Sequence, residues 1–215
     1  MTAIILDMDG VIIESNTMHA EIWKEYLEEH GLYRDGIMKW MHGKRNDQIV
    51  AEVFGREIGA EAIFQHGADK EARYRERMRP VLEQHLVPGI RAFLQRYASL
   101  PLAVASNAEP KNVHFVLDEA GLAPFFRVVV DGHQVQNPKP APDLYLLAAE
   151  RLGVRPQDCI VFEDSPGGIT AARTAGARVV GVTTVPGAVL PPTDFTIADF
   201  TDPSLPDWLS PYTEI

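Results

Sequence analysis

A chain of 215 residues with 46% apolar content has room for one large folded unit or for a core carrying an insert. Its formal charge of -10 argues against a general nucleic-acid binder, yet leaves small phosphorylated ligands open to a few local donors. Cys159 is the lone cysteine, so no internal disulfide forms; with no apolar leader and no run of about 18 apolar residues, a cytoplasmic protein with no membrane partner is expected.

Met1 through Leu6 form an almost unbroken apolar run, the pattern of a strand covered on both faces. Asp7 and Asp9 follow, then Gly10. Side chains at i and i+2 of an extended segment point the same way, so two like charges crowd each other. A solvated Asp-Gly turn is the ordinary use of such a stretch. The other is a site where something offsets the repulsion.

From Ser15 to about Leu82 no convincing strand occurs. NTMHAEIWKEYLEEHGL, NDQIVAEVFGREIG and DKEARYRERMRPVL read as helices, and Pro88-Gly89 marks the return of the chain. Strand and helix then alternate. PLAVASN, RVVV, CIVFED and ARVVGV read as strands; KNVHFVLDEAGL, APDLYLLAAERLG and GGITAARTAG read as helices, with TDFTI a further edge strand. The expected fold is α/β: a doubly wound parallel sheet from residues 1–14 and 84–215, with a helical insert over 15–83.

Ligands of open α/β sheets bind beyond the carboxyl ends of the strands. Four expected strand ends carry polar groups there: Asp7 with Asp9, Ser106 with Asn107, Lys139 after RVVV, and Glu163 with Asp164. Each has a plain structural use as well. Ser106 suits a helix cap, Lys139 a solvated loop, and the acid pair the start of the helix near Pro166. Their shared edge is what points to chemistry, and the chemistry that fits is phosphoryl transfer. One carboxylate acts as nucleophile and a second as general acid and base. Serine and lysine donate to the phosphoryl oxygens, and Mg²⁺ offsets the negative charge.

At DMDGVIIES, ASN, KPAPD and VFEDSPGGITAARTAG the chain resembles the haloacid dehalogenase superfamily, in the branch of β-phosphoglucomutase and small sugar-phosphate phosphatases. The resemblance implies a Rossmann-like core with a cap closing over the substrate. It implies Asp7 as nucleophile and metal ligand, and Asp9 as acid/base lending its carbonyl to the metal. Ser106 and Lys139 become phosphoryl donors with Asn107 assisting, and Gly10 lets backbone N–H groups approach the phosphate. Asp164 becomes a direct ligand of Mg²⁺ and Glu163 one acting through water or an adjacent position. An acid at the position of Asp9 favours phosphate esters over dehalogenation.

On the insert, His19 resembles a histidine that ties closure to the general acid; packing against the hinge, with Trp23, is its other use. WMHGKRNDQIV resembles a sugar-phosphate loop with Gly43 in common, and Lys44 and Arg45 form a basic pair suited to a second phosphate or to solvent. Asn107 after Ser106, and the helix DKEARYRERM, resemble the phosphatases more than the mutase. His42 and His66 lack companions at metal spacing, Cys159 reads as a small core residue, and RYRERMR as an exposed helix face. The expected activity is thus hydrolysis of a small phosphorylated substrate by a monomer. A hexose-phosphate mutase and a non-catalytic phosphometabolite-binding protein are the alternatives.

Overall fold

The computed structural model describes residues 1–41, 44–184 and 189–213; His42 and Gly43 lie outside the described residues. Six parallel strands form one sheet: β1 (Ala3–Leu6), β2 (Leu102–Ala105), β3 (Val128–Val130), β4 (Cys159–Glu163), β5 (Arg178–Val182) and β6 (Phe195–Ile197). Their order is β3-β2-β1-β4-β5-β6. The TDFTI segment supplies β6, which pairs with β5 at the sheet edge.

The apolar runs read as continuous because both faces of the central strands are covered. Side chains alternate between two cores. Ile4, Leu6, Leu102, Val104, Ile160 and Phe162 face one core, shared with α6 (Ile90–Arg96) and α7 (Pro110–Glu119). Ile5, Ala103, Ala105 and Val161 face the other, shared with α8 (Asp143–Leu152) and α9 (Pro166–Ala175). A final helix, α10 (Leu205–Thr213), buries Leu205 and Leu209 in the first of these cores.

Between β1 and β2 the chain forms α1 (Asn16–Glu29), α2 (Ile37–Met41), α3 (Asn46–Val53), α4 (Ala60–Met78) and α5 (Leu82–His85). Trp23, Tyr26, Leu27, Ile37, Met41, Ile49 and Val50 make a separate apolar cluster among these helices. The chain leaves and re-enters the sheet layer along paired segments. Glu14 N–H donates to His85 O at 2.8 Å, and Val87 N–H to Ile12 O at 3.0 Å.

Candidate active site

The sheet register sets the floor of the site. Leu6 lies opposite Phe162, so Asp7 and Glu163 emerge side by side at the carboxyl edge. Asp7 N–H donates to Phe162 O at 3.0 Å, which carries the pairing one residue past β1. Lys139 arrives from the loop after β3. Its Nζ donates to Asp7 Oδ1 at 2.8 Å, Glu163 Oε1 at 2.7 Å and Ala105 O at 3.0 Å. All three ammonium protons are in use. Lys139 is therefore a buried strut between two acids, and it meets a ligand oxygen only by giving up one of these bonds.

Glu163 is fully enclosed. Besides Lys139 it accepts from the Tyr145 hydroxyl at 2.7 Å, Ser165 N–H at 3.0 Å and Ser165 Oγ at 3.1 Å. Four donors fill the acceptor capacity of a carboxylate. Ser165, not Glu163 or Asp164, caps α9 by accepting from Gly168 N–H at 3.0 Å. A Cβ at Gly168 would stand 1.7 Å from Glu163 Oε1, so glycine makes room for that post.

Carboxylate oxygens of Asp7, Glu163 and Asp164 lie within 4.8 Å of one another. Asp164 accepts from Asn16 Nδ2 at 2.8 Å. Gly10 has φ +77°, and a Cβ there would stand 1.9 Å from Asp164 Oδ2. Only glycine serves both the turn and the close approach. Ser106 is buried at the end of β2, where its Oγ accepts from Ala108 N–H at 3.1 Å. Asn107 Oδ1 accepts from Lys139 N–H at 3.1 Å, fixing the lysine loop.

One lysine does not balance three acids. Burial pushes Asp7 upward; Lys139 opposes this, but Glu163 and Asp9 add to it, and its carboxyl is raised to about 7. Burial, then Glu163 and Asp7, push Asp164 well above its ordinary value. Glu163 stays below the usual range: burial acts against it, and Lys139 outweighs burial. The floor carries surplus negative charge on hard oxygen donors, which suits Mg²⁺. Asp7 and Asp164 have the capacity to hold such an ion, while the filled Glu163 orients its neighbours.

A second network rises from Asp9 along the helices. Asp9 Oδ1 accepts from Ser15 Oγ at 2.5 Å and lies 3.7 Å from His19 Nε2. Lys70 Nζ donates to His19 Nδ1 at 2.5 Å and to Glu71 Oε1 at 2.8 Å. An ammonium cannot accept, so His19 carries its ring proton on Nε2, toward Asp9. Tyr74 stacks on the His19 ring with centroids 3.9 Å apart. Glu71 also accepts from Asn46 Nδ2 and Asn112 Nδ2, each at 2.6 Å. Both acids of this wall find donors within the protein. Burial opposes ionisation of Glu71, yet Lys70 and His19 outweigh it and hold the carboxyl at about 2. His19 and Ser15 likewise hold Asp9 below its usual value against burial.

Floor and wall enclose a cavity of about 200 Å³. Asn46, Glu71 and Asn112 line it with Trp23, Met41, Ile49 and Phe64, so it is polar on one side and apolar on the other. At the mouth, the expected basic pair is engaged. Arg45 donates to both Asp47 oxygens, at 3.1 and 2.8 Å, and to Gly132 O at 2.8 Å. Lys44 Nζ sits 4.0 Å from the centre of the Trp40 ring.

Comparison with known proteins places this arrangement. The model for haloacid dehalogenase-like hydrolases matches residues 1–176. The chain belongs to that family. Among its relatives, the fructose-1-phosphate phosphatase YqaB of Escherichia coli (strain K12) is 32% identical over 180 residues, spanning 83% of this chain and 95% of that protein. A phosphorylated carbohydrates phosphatase of Thermotoga maritima is 34% identical over 190 residues, 85% of either chain. The crystal structure of a β-phosphoglucomutase from Clostridium difficile superposes with a TM-score of 0.85 over 99% of this chain and 97% of its own. At 24% identity that likeness concerns the fold.

In this haloacid dehalogenase-like hydrolase, the residues read from the strand ends meet in one place. Those that sequence reasoning missed are Ser15, Asn16, Asn46, Lys70, Glu71, Asn112 and Tyr145. For two of them a signal was present. The buried stripe of α4 is Gly67, Lys70, Glu71, Tyr74 and Met78, so two charges occupy positions that helical spacing reserves for apolar residues. RYRERMR is correspondingly not a plain solvent face: Tyr74 and Met78 are buried, and Arg75 donates to Glu109 and Asn112 of the core, each at 2.6 Å.

Proposed function

We propose that this chain is a Mg²⁺-dependent phosphatase that hydrolyses small sugar-phosphate-type esters through a phosphoryl group carried on Asp7. The observation that carries the reading is the surplus of carboxylate at the floor. Carboxylate oxygens of Asp7, Glu163 and Asp164 come together beside the cavity, and buried Lys139 bonds only the first two. Asp7 and Asp164 would hold the metal, with the Asp9 carbonyl, and the ion would offset negative charge at the reacting phosphate.

Asp7 attacks phosphorus, the P–O bond to the substrate alcohol breaks, and the phosphoryl group passes to the carboxylate. Lys139 orients the nucleophile and, with Ser106, stabilises the spreading phosphoryl charge; Asn107 fixes the lysine loop. Asp9 gives a proton to the leaving alkoxide, then takes one from the water that hydrolyses the acyl phosphate. Its depressed resting value supplies the base of the second half. A dianionic phosphate arriving beside it works in the opposite direction, favouring the acid form needed first. Gly10 brings the turn after β1 close to Asp164 and the phosphate position.

Residues 15–83 act as a cap over the substrate in this reading, and the cavity of about 200 Å³ limits the ester to a small metabolite. Arg45, already paired with Asp47 and Gly132, is poorly disposed to receive a second phosphate, and Lys44 rests on Trp40. That supports hydrolysis over phosphoglucomutase chemistry. A cytoplasmic monomer is part of the same reading. A panel of phosphorylated metabolites with Mg²⁺, assayed for inorganic phosphate, tests the activity. Conversion of β-glucose 1-phosphate with trace bisphosphate to glucose 6-phosphate, without phosphate release, would instead establish a mutase.

A further inference from the structure

Glu71 is a buried carboxylate that the chemistry above does not use, yet it is the best-connected group of the wall. It belongs to α4, takes a proton donor from α3 through Asn46, and takes another from core helix α7 through Asn112. Its third donor is Lys70, whose other hydrogen bond goes to His19 Nδ1. The Asn112 amide is itself held from the other side, since its Oδ1 accepts from Arg75. Glu71 is therefore the point where insert, core and the chain of contacts leading to Asp9 converge.

We propose that Glu71 is a positioning residue: seating Asn112 of the core against it fixes Lys70, and through Lys70 the His19 tautomer whose Nε2–H faces Asp9. Only when α4 sits on α7 is Glu71 saturated, so the general acid is poised only in the closed arrangement. With the helices apart, a buried anion loses a donor, which is a strong penalty for partial closure. The same geometry explains why a charge pair occupies the apolar stripe of α4. An apolar residue at position 71 would pack but would leave Lys70 free to swing from His19.

This inference rests on the reading of Asp9 as the acid that protonates the leaving group, and leaving-group chemistry separates the two. An alkyl phosphate needs that proton; 4-nitrophenyl phosphate, with its acidic phenol, needs it far less. kcat/KM reports the first phosphoryl transfer. For Glu71→Gln we expect it to fall by about tenfold or more on an alkyl ester, part of the full general-acid contribution, with a several-fold smaller loss on the aryl ester. Asn112→Asp, which sets a second carboxylate against Glu71 from the core side, gives the same split. The exchanged pair Glu71→Gln/Asn112→Asp restores a donor–acceptor bridge and recovers part of the alkyl-ester rate. Asp9→Asn is the reference. If Asp9→Asn shows the split and neither Glu71→Gln nor Asn112→Asp does, both esters losing equally, Glu71 is merely structural and the proposal fails. If Asp9→Asn itself slows both esters alike, the acid assignment of Asp9 fails instead.

Discussion

Floor and wall of the cavity are both buried clusters of acids around one lysine, yet their electrostatics run in opposite directions. At the floor, Lys139 bonds Asp7 and Glu163 with Asp164 beside them, and burial with mutual repulsion drives Asp7 to about 7 and Asp164 well upward. In the wall, Lys70 and His19 face Asp9 and Glu71, and both carboxyls are lowered, Glu71 to about 2. The difference is one of completeness. The wall supplies its carboxylates with donors from within the protein; the floor leaves negative charge that a cation and a phosphoryl transfer can use.

The comparison can be broken at several points. Asp7→Asn removes the proposed nucleophile, and phosphate release should fall by about 10⁴-fold or more, as loss of a covalent catalyst does. Asp9→Asn should slow turnover by about 10²–10⁴-fold while leaving Mg²⁺ binding nearly intact, as followed by calorimetry. Equal activity in that variant would contradict the acid/base role.

A smaller effect is thermodynamic. Mg²⁺ at a hundredfold excess over its Kd should add about 2.7 kcal/mol to stability, lifting Tm by roughly 5–10 °C for a chain of this size. Asp164→Asn should remove most of that rise. No rise in the unaltered protein would mean that the surplus charge is not met by the metal.

The contrast also extends to pH. Asp7 is raised in the fold, so its contribution is fully present below about 3.8 and is lost as pH rises through about 7. Metal-free protein should lose stability across that interval, and Mg²⁺ should flatten the slope. Glu71 is lowered, so its contribution is present above 4.5 and disappears as pH falls toward about 2. Glu71→Gln should therefore be less sensitive to acid over that lower range, as read by thermal melts across pH. Slopes of the same sign at floor and wall would overturn the distinction.

Much of the floor was legible in the sequence because strand ends in a parallel sheet converge. An apolar run ending in Asp7, and another ending in Glu163 and Asp164, come together by register alone. The wall was not legible for the converse reason. Lys70 and His19 are 51 positions apart, and Glu71 and Asn112 are 41 apart, on helices whose packing no local pattern specifies. Charge on α4 looked solvent-facing because pairing partners are invisible in a single helix. The Arg45 expectation met the same limit: Asp47, two residues on, and Gly132 occupy the guanidinium. The helical insert itself was readable from the lack of strand pattern between residues 15 and 83, whereas its seating on α7 was not.

The phosphoryl group proposed for Asp7 is open to direct detection. Rapid quenching of a turnover with Mg²⁺ and substrate, followed by mass spectrometry of proteolytic peptides, should find one phosphoryl adduct on the peptide containing Asp7, absent in Asp7→Asn. Turnover proceeding with no such adduct, or with the adduct on another residue, would contradict that proposal.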